Sequence, residues 1–391
     1  MNESNGLAER LRSAFEENFE RHGEIGAAVS VWGRGGSIFE TSAGFRDLAL
    51  SEPWTDDTLV LVWSATKGLA AACVLHAMEA AGVSLNTRVA KFWPEFGQCG
   101  KEALTVGQVL SHRAGLSALD AKDLSVLDHD GVARAIERQV PQWKDEAHGY
   151  GPRTFGFVVD EMVRRLAGGR TLGDYWRREF GDPLELDAWI GLPEEHHGRV
   201  AQMIAARGAG CLEGQDEFLE AMGDPASLTR RSFSTPGGAL GATAMNSPAI
   251  RGASLPSMGG IATASALAKF YAMLANGGEW GGVQFFSAEG VGAMRKTLAQ
   301  GRDRVLLIET AFSAGFMRDP VDGDGRKIRS TFGPAAGAFG HPGAGGSLAF
   351  ADPDRGIGFA YVMNQMGMGV LPRDRAWSLV AALYESTASP R

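Results

Sequence analysis

Apolar positions recur at helical spacing near both ends of the chain and in its middle. Every fourth residue from Leu7 to Phe19 is apolar, which predicts an amphipathic helix over 7–22. The stretch 64–82 is rich in Ala, Leu and Met and ends at a glycine, so it predicts a long buried helix. Similar patterns predict further helices over 104–112, 131–138, 152–166, 171–180, 259–278 and 373–384.

Short apolar runs bounded by glycine predict the strands. The runs 26–33 and 37–44 are separated by Arg-Gly-Gly, which indicates a β-hairpin. The apolar run 58–63 fits either a strand or an extended approach to the helix that follows it. Strand-like runs return in the last third of the chain, at 305–316, 346–352 and 356–363.

The order of these elements is helix, strands, helices, strands, helix. This order predicts one sheet built from both chain ends, with a mainly helical lobe inserted between them, rather than a parallel βαβ series. We expect residues 1–100 and 256–391 to form the sheet-containing domain and 101–255 the inserted lobe, with the site between them. No internal repeat with a period of roughly 20–50 residues is visible, which argues against solenoids and propellers.

Composition narrows the class of protein. The chain has 391 residues, 44% of them hydrophobic and 21% charged, as in a folded globular protein. Its net charge of −8 argues against a nucleic-acid partner. It has no apolar run of about 20 residues, so we expect no membrane-spanning helix.

The N-terminus and the cysteines bear on the compartment. The first 23 residues are polar and rich in Glu and Arg, without the apolar segment of a secretory signal. The three cysteines, Cys73, Cys99 and Cys211, are odd in number and widely spaced, as in a reducing compartment. We therefore expect a cytoplasmic protein.

The first candidate for chemistry is Ser64-Ala-Thr-Lys67, at the start of the long buried helix. Residues three apart share a helix face, so Lys67 can reach the Ser64 hydroxyl. The helix N-terminus offers free N–H groups to a developing oxyanion, and burial can turn a lysine into a base. The alternative is a capping serine beside a solvated lysine. Context favours chemistry, because Ser-x-x-Lys occurs once in the chain and the helix after it is apolar on nearly every side.

The second candidate is Tyr150, in a loop that leads into the helix predicted from Pro152. Its hydroxyl can relay a proton if a nearby cation lowers its pKa. The alternative is an ordinary packed aromatic side chain. Tyrosine is rare in the chain, with five in all, and this one has glycine on both sides.

The third candidate is a glycine-rich run, 338–349, that leads into a predicted strand. Glycine is the one unusual count, 53 of 391 residues, against an average of about 7%. Glycine beside a strand marks a close approach of the backbone to a ligand or another segment. Backbone N–H groups here could face an oxyanion together with the Ser64 N–H. The alternative is a plain turn.

Other catalytic motifs are missing from the sequence. No serine has glycine at both −2 and +2, as an α/β-hydrolase elbow requires. There is no P-loop pattern. The one close histidine pair, His196-His197, lacks a zinc motif, and the cysteine spacing fits no zinc site. We expect His112 to be structural or adjacent to substrate, and we expect no metal and no cofactor.

In this order, the three candidates resemble the serine β-lactamase-like superfamily, above all its class C branch and the related family VIII carboxylesterases. The resemblance covers nearly the whole chain and includes 104–116 and 259–268. It implies an α+β fold of the penicillin-binding-protein transpeptidase type, in which an antiparallel sheet flanked by helices carries an inserted, mainly α-helical lobe. It also implies that Ser64 is the acylated nucleophile, with Lys67 as its partner and Tyr150 as the second general base or acid. The amides of Ser64 and Ala344 would form the oxyanion hole.

Two motifs depart from the class C pattern. The sequence reads Tyr-Gly-Pro at 150–152 where that branch has Tyr-x-Asn, so an amide that helps to hold a β-lactam side chain is missing. It reads His-Pro-Gly at 341–343 where that branch has Lys-Thr-Gly, which removes the cation that pairs with a β-lactam carboxylate. We expect three residues around this motif to contact substrate: His341, Gly343 and Gly345.

These departures favour a cofactor-free serine carboxylesterase acting on small neutral esters with short-to-medium acyl groups, without a nucleic-acid or membrane partner. Three alternatives stay open. The substrate could be an amide, either a β-lactam or a peptide with a D-residue. The acyl group could pass to an alcohol instead of water, or the site could bind acyl ligands without turnover. The sequence leaves open whether Lys67 or Tyr150 is the general base, and it leaves the oligomeric state undetermined.

Overall fold

The computed structural model describes residues 3–206, 216–369, 371 and 374–385. Cys211 and Arg373, the residue at which the last predicted helix begins, lie outside these ranges. The helices within them are α1 (Glu3–His22), α2 (Thr66–Ala80), α3 (Val106–Leu110), α4 (His129–Arg138), α5 (Thr154–Leu166), α6 (Leu172–Trp176), α7 (Asp216–Gly223), α8 (Leu228–Ser234), α9 (Gly241–Met245), α10 (Pro248–Gly252), α11 (Ala264–Ala275), α12 (Ala288–Arg295) and α13 (Asp374–Tyr384).

The strands within the same ranges form one large sheet and two small ones. They are β1 (Gly26–Gly33), β2 (Gly36–Gly44), β3 (Val60–Leu61), β4 (Ala188–Ile190), β5 (Gly260–Ala262), β6 (Glu279–Trp280), β7 (Val283–Gln284), β8 (Ala299–Arg302), β9 (Glu309–Phe312), β10 (Met317–Arg318), β11 (Phe339–Pro342), β12 (Leu348–Asp352) and β13 (Ile357–Met363). The large sheet has eight strands in the order β2-β1-β13-β12-β11-β10-β9-β8, and every neighbouring pair is antiparallel.

The sheet joins the two ends of the chain, as the element order predicts. Its β1 pairs with β13 over seven positions, from Ala27 opposite Met363 to Gly33 opposite Ile357. Every residue of β13 is buried, because the strand is covered on both faces. Alternate residues point to opposite faces, so Phe359 and Tyr361 belong to one core while Ala360 and Val362 belong to the other.

Helices cover both faces of the sheet. Helices α1 and α13 pack together over one face. Helix α11 lies on the other face, against β1, β12 and β13. It can come that close because β13 has glycine at 358, where a Cβ would collide with the Ala268 carbonyl and the Ala272 amide of α11. The α+β fold with an antiparallel sheet flanked by helices is confirmed.

Helix α2 carries apolar residues on all sides and is buried on nearly all of them. It packs against α5 and α6, which belong to the middle of the chain. Between residues 101 and 255 the described elements are the helices α3–α10, helical turns and the short strand β4. The lobe boundaries at 100/101 and 255/256 stay a prediction.

Three sequence predictions about the elements were wrong. The run 305–316 is not one strand, since only 309–312 form β9 and residues 303–308 form a turn. The helix predicted over 259–278 starts at Ala264, because 260–262 form β5 between β3 and β4. The stretch 181–254, which the sequence pattern predicts to be rich in loops, contains the short helices α7–α10. The helix predicted over 152–166 is confirmed as α5, which starts two residues later than predicted, at Thr154.

None of the helices in the described residues 3–206, 216–369 and 374–385 is both long enough and apolar enough to cross a bilayer.

A half-buried histidine joins α4 to α5. His129 Nδ1 lies 3.0 Å from Asp160 Oδ2, and its Nε2 lies 3.1 Å from Glu161 Oε2. Both partners accept, so the ring carries two N–H donors. Burial on its own lowers the pKa of His129, but the hydrogen bonds to Asp160 and Glu161 outweigh it and raise the pKa to about 9.

Replacing His129 by Gln should therefore destabilise the protein in a pH-dependent way. The folded pKa of about 9 lies above the unfolded value of 6.5, so the stabilisation is complete below pH 6.5 and is lost as the pH rises toward 9. We expect H129Q to lower the free energy of unfolding by about 1–3 kcal/mol at pH 6 and by clearly less at pH 9.5. Urea denaturation at the two pH values measures this, and equal losses would contradict the charged pairing.

Candidate active site

Ser64 lies where a strand turns sharply into α2. The turn Trp63–Ala65 is a single 3₁₀ turn between β3 and the helix. Trp63 has φ +50°, a left-handed conformation that a bulky residue rarely adopts and that the surrounding structure must enforce. Ser64 itself is only half-buried, whereas Trp63 and Ala65 on either side of it are buried. The strained turn therefore presents the Ser64 hydroxyl at the surface of a chamber.

Lys67 lies in the first turn of α2 and is completely buried. Its Nζ is 3.2 Å from Ser64 Oγ, 3.0 Å from the Pro152 carbonyl and 2.8 Å from the Ser257 carbonyl. Burial, with a smaller contribution from the positive charge of Arg153, lowers the pKa of Lys67 well below its ordinary value. A neutral amine has two N–H donors for the two carbonyls and one lone pair, which is left for the Ser64 hydroxyl.

Ser257 is a supporting residue that sequence reasoning missed. Its Oγ donates to the Arg153 carbonyl at 2.9 Å and accepts from the Gly156 N–H at 2.6 Å, while its own carbonyl accepts from Lys67. One residue thereby fixes the first turn of α5 against α2. The sequence feature that could have pointed to Ser257 is its position directly before the Met-Gly-Gly of 258–260.

Tyr150 faces the same chamber as Ser64. Its ring centroid is 4.8 Å from Lys67 Nζ, and its side chain is buried. Burial raises the pKa of Tyr150 above its ordinary value, interaction with Ser64 lowers it in part, and the Asp303 charge raises it further. The expected lowering of this pKa by a cation is therefore wrong for the resting site. The phenol keeps its proton and is placed to donate it.

Asp303 holds the backbone of Tyr150 and was also missed. Both of its carboxylate oxygens lie 3.1 Å from the Tyr150 amide nitrogen, and one of them also accepts from the N–H groups of Val305 and Leu306 at 2.8 Å each. Burial raises the pKa of Asp303, and these N–H groups oppose that rise. The carboxylate therefore holds the turn 303–308 and the Tyr150 loop against each other.

His112 has a structural role behind Tyr150. Its Nδ1 accepts a hydrogen bond from the Gly151 N–H at 3.2 Å, and its ring packs 4.8 Å from that of Phe155 and 4.6 Å from that of Phe312. Burial lowers its pKa well below the ordinary value, and Lys67 lowers it further when its amine is protonated. A neutral His112 thus fixes the chain just after Tyr150.

The glycine-rich run forms the turn between β11 and β12, next to Ser64. A Cβ at Gly343 would collide with the Val62 carbonyl, so glycine is required for this approach. The Ser347 hydroxyl donates to the same carbonyl at 3.1 Å. Neither the Ser64 N–H nor the Ala344 N–H donates to a protein acceptor within the part of the chain that the structure describes. Both amides are therefore free for the predicted oxyanion hole, which stays a prediction.

Gly343 and Gly345 shape the turn and are not among the residues that line the chamber. Gly345 has φ +84°, and its carbonyl accepts from the Gly367 N–H at 2.7 Å and from Arg375 Nη2 at 3.3 Å. Arg375 is held in turn by Glu24, 3.0 Å away. The predicted contact of these two glycines with substrate stays a prediction.

His341 lies on β11 and is buried. Its Nδ1 is 2.7 Å from the Pro342 carbonyl, and its ring centroid is 5.9 Å from that of Tyr150. Burial lowers the pKa of His341 to about 3, with a smaller contribution from Lys67 when its amine is protonated and against a weaker opposing effect of the Pro342 carbonyl. His341 is therefore neutral throughout the physiological pH range.

The chamber is narrow, with a volume of about 20 Å³, and most of its walls are apolar. Its lining brings together four of the residues predicted from the sequence with a set of apolar side chains: Ser64, Tyr150, His341, Ala344, Phe233, Leu306, Met317, Pro342 and Leu371. Within the described residues no group of three or more His, Cys, Asp or Glu side chains is arranged to hold a metal ion.

This fold and this arrangement of Ser64, Lys67 and Tyr150 define a serine hydrolase with a β-lactamase fold. The family model described as beta-lactamase matches residues 11–383. The chain belongs to the beta-lactamase family, which confirms the resemblance seen in the sequence.

The proteins similar to this chain include both esterases and a penicillin-binding protein homologue, by their names. The chain is 31% identical over 367 residues to the esterase/beta-lactamase LipL of Mycobacterium tuberculosis. The aligned region covers 93% of this chain and 82% of LipL. A crystal structure of a penicillin-binding protein homologue from Caulobacter crescentus has 36% identity and a TM-score of 0.85, covering 97% of each chain. A family VIII carboxylesterase structure has 32% identity and a TM-score of 0.84, with the same coverage.

The close packing of Gly68 against Tyr271, next to Lys67, can be tested by substituting the two residues. A Cβ at Gly68 would overlap the hydroxyl of Tyr271, and that hydroxyl is buried without a hydrogen-bond partner among the described residues. We expect Gly68→Ala to lower the free energy of unfolding by about 1–3 kcal/mol, and Tyr271→Phe to be neutral or stabilising, because it removes an unpaired polar group.

The double variant is the control. With the hydroxyl gone, the next ring atom lies 3.1 Å from the new Cβ, so G68A/Y271F should recover at least half of the stability lost in G68A. Denaturant unfolding of the four proteins gives the coupling free energy. Additive effects of the two substitutions would show that this overlap is not what excludes alanine.

Proposed function

We propose that this protein is a serine carboxylesterase that hydrolyses neutral esters of short-to-medium acyl groups through an acyl-enzyme on Ser64. The observation that carries the proposal is the neutral, buried His341 at the position where the class C pattern has a lysine. A neutral imidazole cannot form an ion pair with a substrate carboxylate. A site with the parts for acyl transfer and no cation for a carboxylate suits an uncharged substrate.

The lining of the chamber supports the same substrate class. Phe233, Leu306, Met317 and Leu371 give it apolar walls, which suit the acyl chain of an uncharged ester. Apolar walls stabilise an alkyl group by removing it from water. Similarity to a family VIII carboxylesterase and to LipL points in the same direction.

Acylation uses the neutral Lys67 as the base. Ser64 Oγ forms a bond to the ester carbonyl carbon while its proton passes to Lys67 Nζ, 3.2 Å away. The carbonyl oxygen takes up the electron pair as an oxyanion, which the free N–H groups of Ser64 and Ala344 stabilise. When the carbonyl re-forms, the bond to the alcohol oxygen breaks.

Tyr150 completes the transfer as an acid. It gives its phenolic proton to the departing alcohol oxygen and regains a proton from the Lys67 ammonium, which lies next to its ring. Water then attacks the acyl carbon, and the same groups move the proton in reverse to release the acid and restore Ser64. Each cycle consumes one ester and one water and needs no cofactor.

β-Lactam hydrolysis is the second candidate. It is favoured by similarity to LipL, whose name combines esterase and beta-lactamase. Against it stand the neutral His341 and the Tyr-Gly-Pro at 150–152. A panel of p-nitrophenyl esters of graded chain length run beside nitrocefin decides between the two. A kcat/KM for nitrocefin that rivals the best ester would favour the β-lactam reading.

The nucleophile is tested by Ser64→Ala. We expect S64A to abolish turnover of p-nitrophenyl acetate and butyrate, and to abolish labelling by a fluorophosphonate, since no covalent intermediate can form. Circular dichroism and denaturant unfolding of the variant serve as the folding control. Retained ester turnover by a folded S64A protein would refute the assignment.

The separate roles of Lys67 and Tyr150 predict different dependence on the leaving group. p-Nitrophenolate departs without protonation, whereas an alkoxide needs an acid. Tyr150→Phe should therefore lower kcat/KM for ethyl butyrate by about 100-fold or more, and for p-nitrophenyl butyrate by only about tenfold. Lys67→Met should lower both by a similar factor, because attack by Ser64 precedes departure in both.

This comparison uses kcat/KM, which reports acylation with either ester. A Tyr150→Phe loss that is the same for both esters would contradict the assignment of Tyr150 as the acid for the leaving group. It would instead place Tyr150 with Lys67 at the step of nucleophilic attack.

A further inference from the structure

His341 is fixed in a single tautomer. Its Nδ1 is 2.7 Å from the Pro342 carbonyl, and a carbonyl oxygen can only accept, so Nδ1 carries the hydrogen. The ring is neutral, which leaves Nε2 with a lone pair and no proton. His341 therefore presents one hydrogen-bond acceptor that cannot turn into a donor without breaking the contact to Pro342.

That acceptor has no partner among the residues that the structure describes. Nε2 is buried and accepts no hydrogen bond from the residues that the structure describes, although the ring lines the chamber beside Ser64 and Tyr150. A buried acceptor left without a donor costs free energy. Such an acceptor costs less free energy when a bound molecule supplies the hydrogen-bond donor.

The position of His341 indicates which part of an ester reaches it. Tyr150 is the group that protonates the departing alcohol oxygen in the proposed mechanism, so the alcohol lies on the Tyr150 side of Ser64. The His341 ring is 5.9 Å from the Tyr150 ring, with 31° between their planes. A substituent on the alcohol, a short distance from the ester oxygen, therefore comes next to His341.

We infer that His341 Nε2 accepts a hydrogen bond from a hydroxyl on the alcohol portion of the substrate, so that the preferred substrates are monoesters of diols and polyols. This inference rests on the proposed esterase function and narrows its substrate class. A carboxylate on the alcohol would instead meet the lone pair of Nε2 with its own lone pairs. An ammonium would bring a second cation next to the site where Lys67 becomes charged during acylation.

Two esters that differ in one donor test the inference on the unmodified protein. 2-Hydroxyethyl butyrate carries the hydroxyl, whereas 2-methoxyethyl butyrate has the same acyl group, a similar leaving group and no donor. We expect kcat/KM to favour the hydroxyethyl ester by about tenfold, measured by titration of the released acid. Equal values would overturn the inference.

Variants of His341 tie the preference to this side chain. His341→Phe removes the acceptor, so the ratio of the two kcat/KM values should fall to near one. His341→Gln keeps an acceptor oxygen and should keep part of the ratio. Fluorophosphonate labelling of Ser64 identifies the folded variants, and the ratio needs no assumption about absolute rates. A ratio that His341→Phe leaves unchanged would overturn the inference.

The outcomes also separate this inference from the function on which it rests. If the unmodified protein turns over neither these esters nor p-nitrophenyl butyrate, the esterase proposal itself fails. If it turns over both esters equally, the esterase proposal stands and only the polyol preference is wrong.

Discussion

Burial of the Lys67 amine is the constraint on which the rest of the site depends. Its hydrogen-bond partners are two backbone carbonyls and the Ser64 hydroxyl, so no carboxylate among them compensates a positive charge. Desolvation makes a buried charge of this kind costly, so it lowers the pKa of Lys67 well below its ordinary value and favours the neutral amine. The carbonyls of Pro152 and Ser257 must then lie within reach of Nζ, which requires α2, α5 and the segment before β5 to meet at this one nitrogen.

Strain and close approach supply the remaining geometry. Trp63 is held in a left-handed conformation so that Ser64 stands at the chamber, and the absence of a side chain at Gly343 lets the turn after β11 reach the Val62 carbonyl. Each distortion costs free energy locally. The extensive core on both faces of the sheet stabilises the fold enough to keep them.

Short sequence patterns predicted the site residues that can be recognised from their immediate neighbours in the chain. Ser64 and Lys67 are one helical turn apart, and Tyr150 stood out by its flanking glycines. Asp303 and Ser257 were missed because they act across 153 and 190 positions of sequence, on Tyr150 and on Lys67. The strand predicted over 305–316 was wrong for a related reason. The Asp303 carboxylate binds the N–H groups that a strand ladder would use at 305 and 306.

The charges of the site explain how it can favour a transition state over a ground state. In the proposed mechanism Lys67 and His341 are neutral and Tyr150 is protonated before reaction, so the chamber offers an uncharged ester little electrostatic binding. In that mechanism, attack by Ser64 creates an oxyanion and a Lys67 ammonium at the same moment, in surroundings of low polarity where opposite charges attract strongly. The interaction therefore grows as the transition state forms, and only interactions that do so accelerate the chemical step. A permanent cation at position 341 would attract the substrate before reaction and oppose protonation of Lys67 during it.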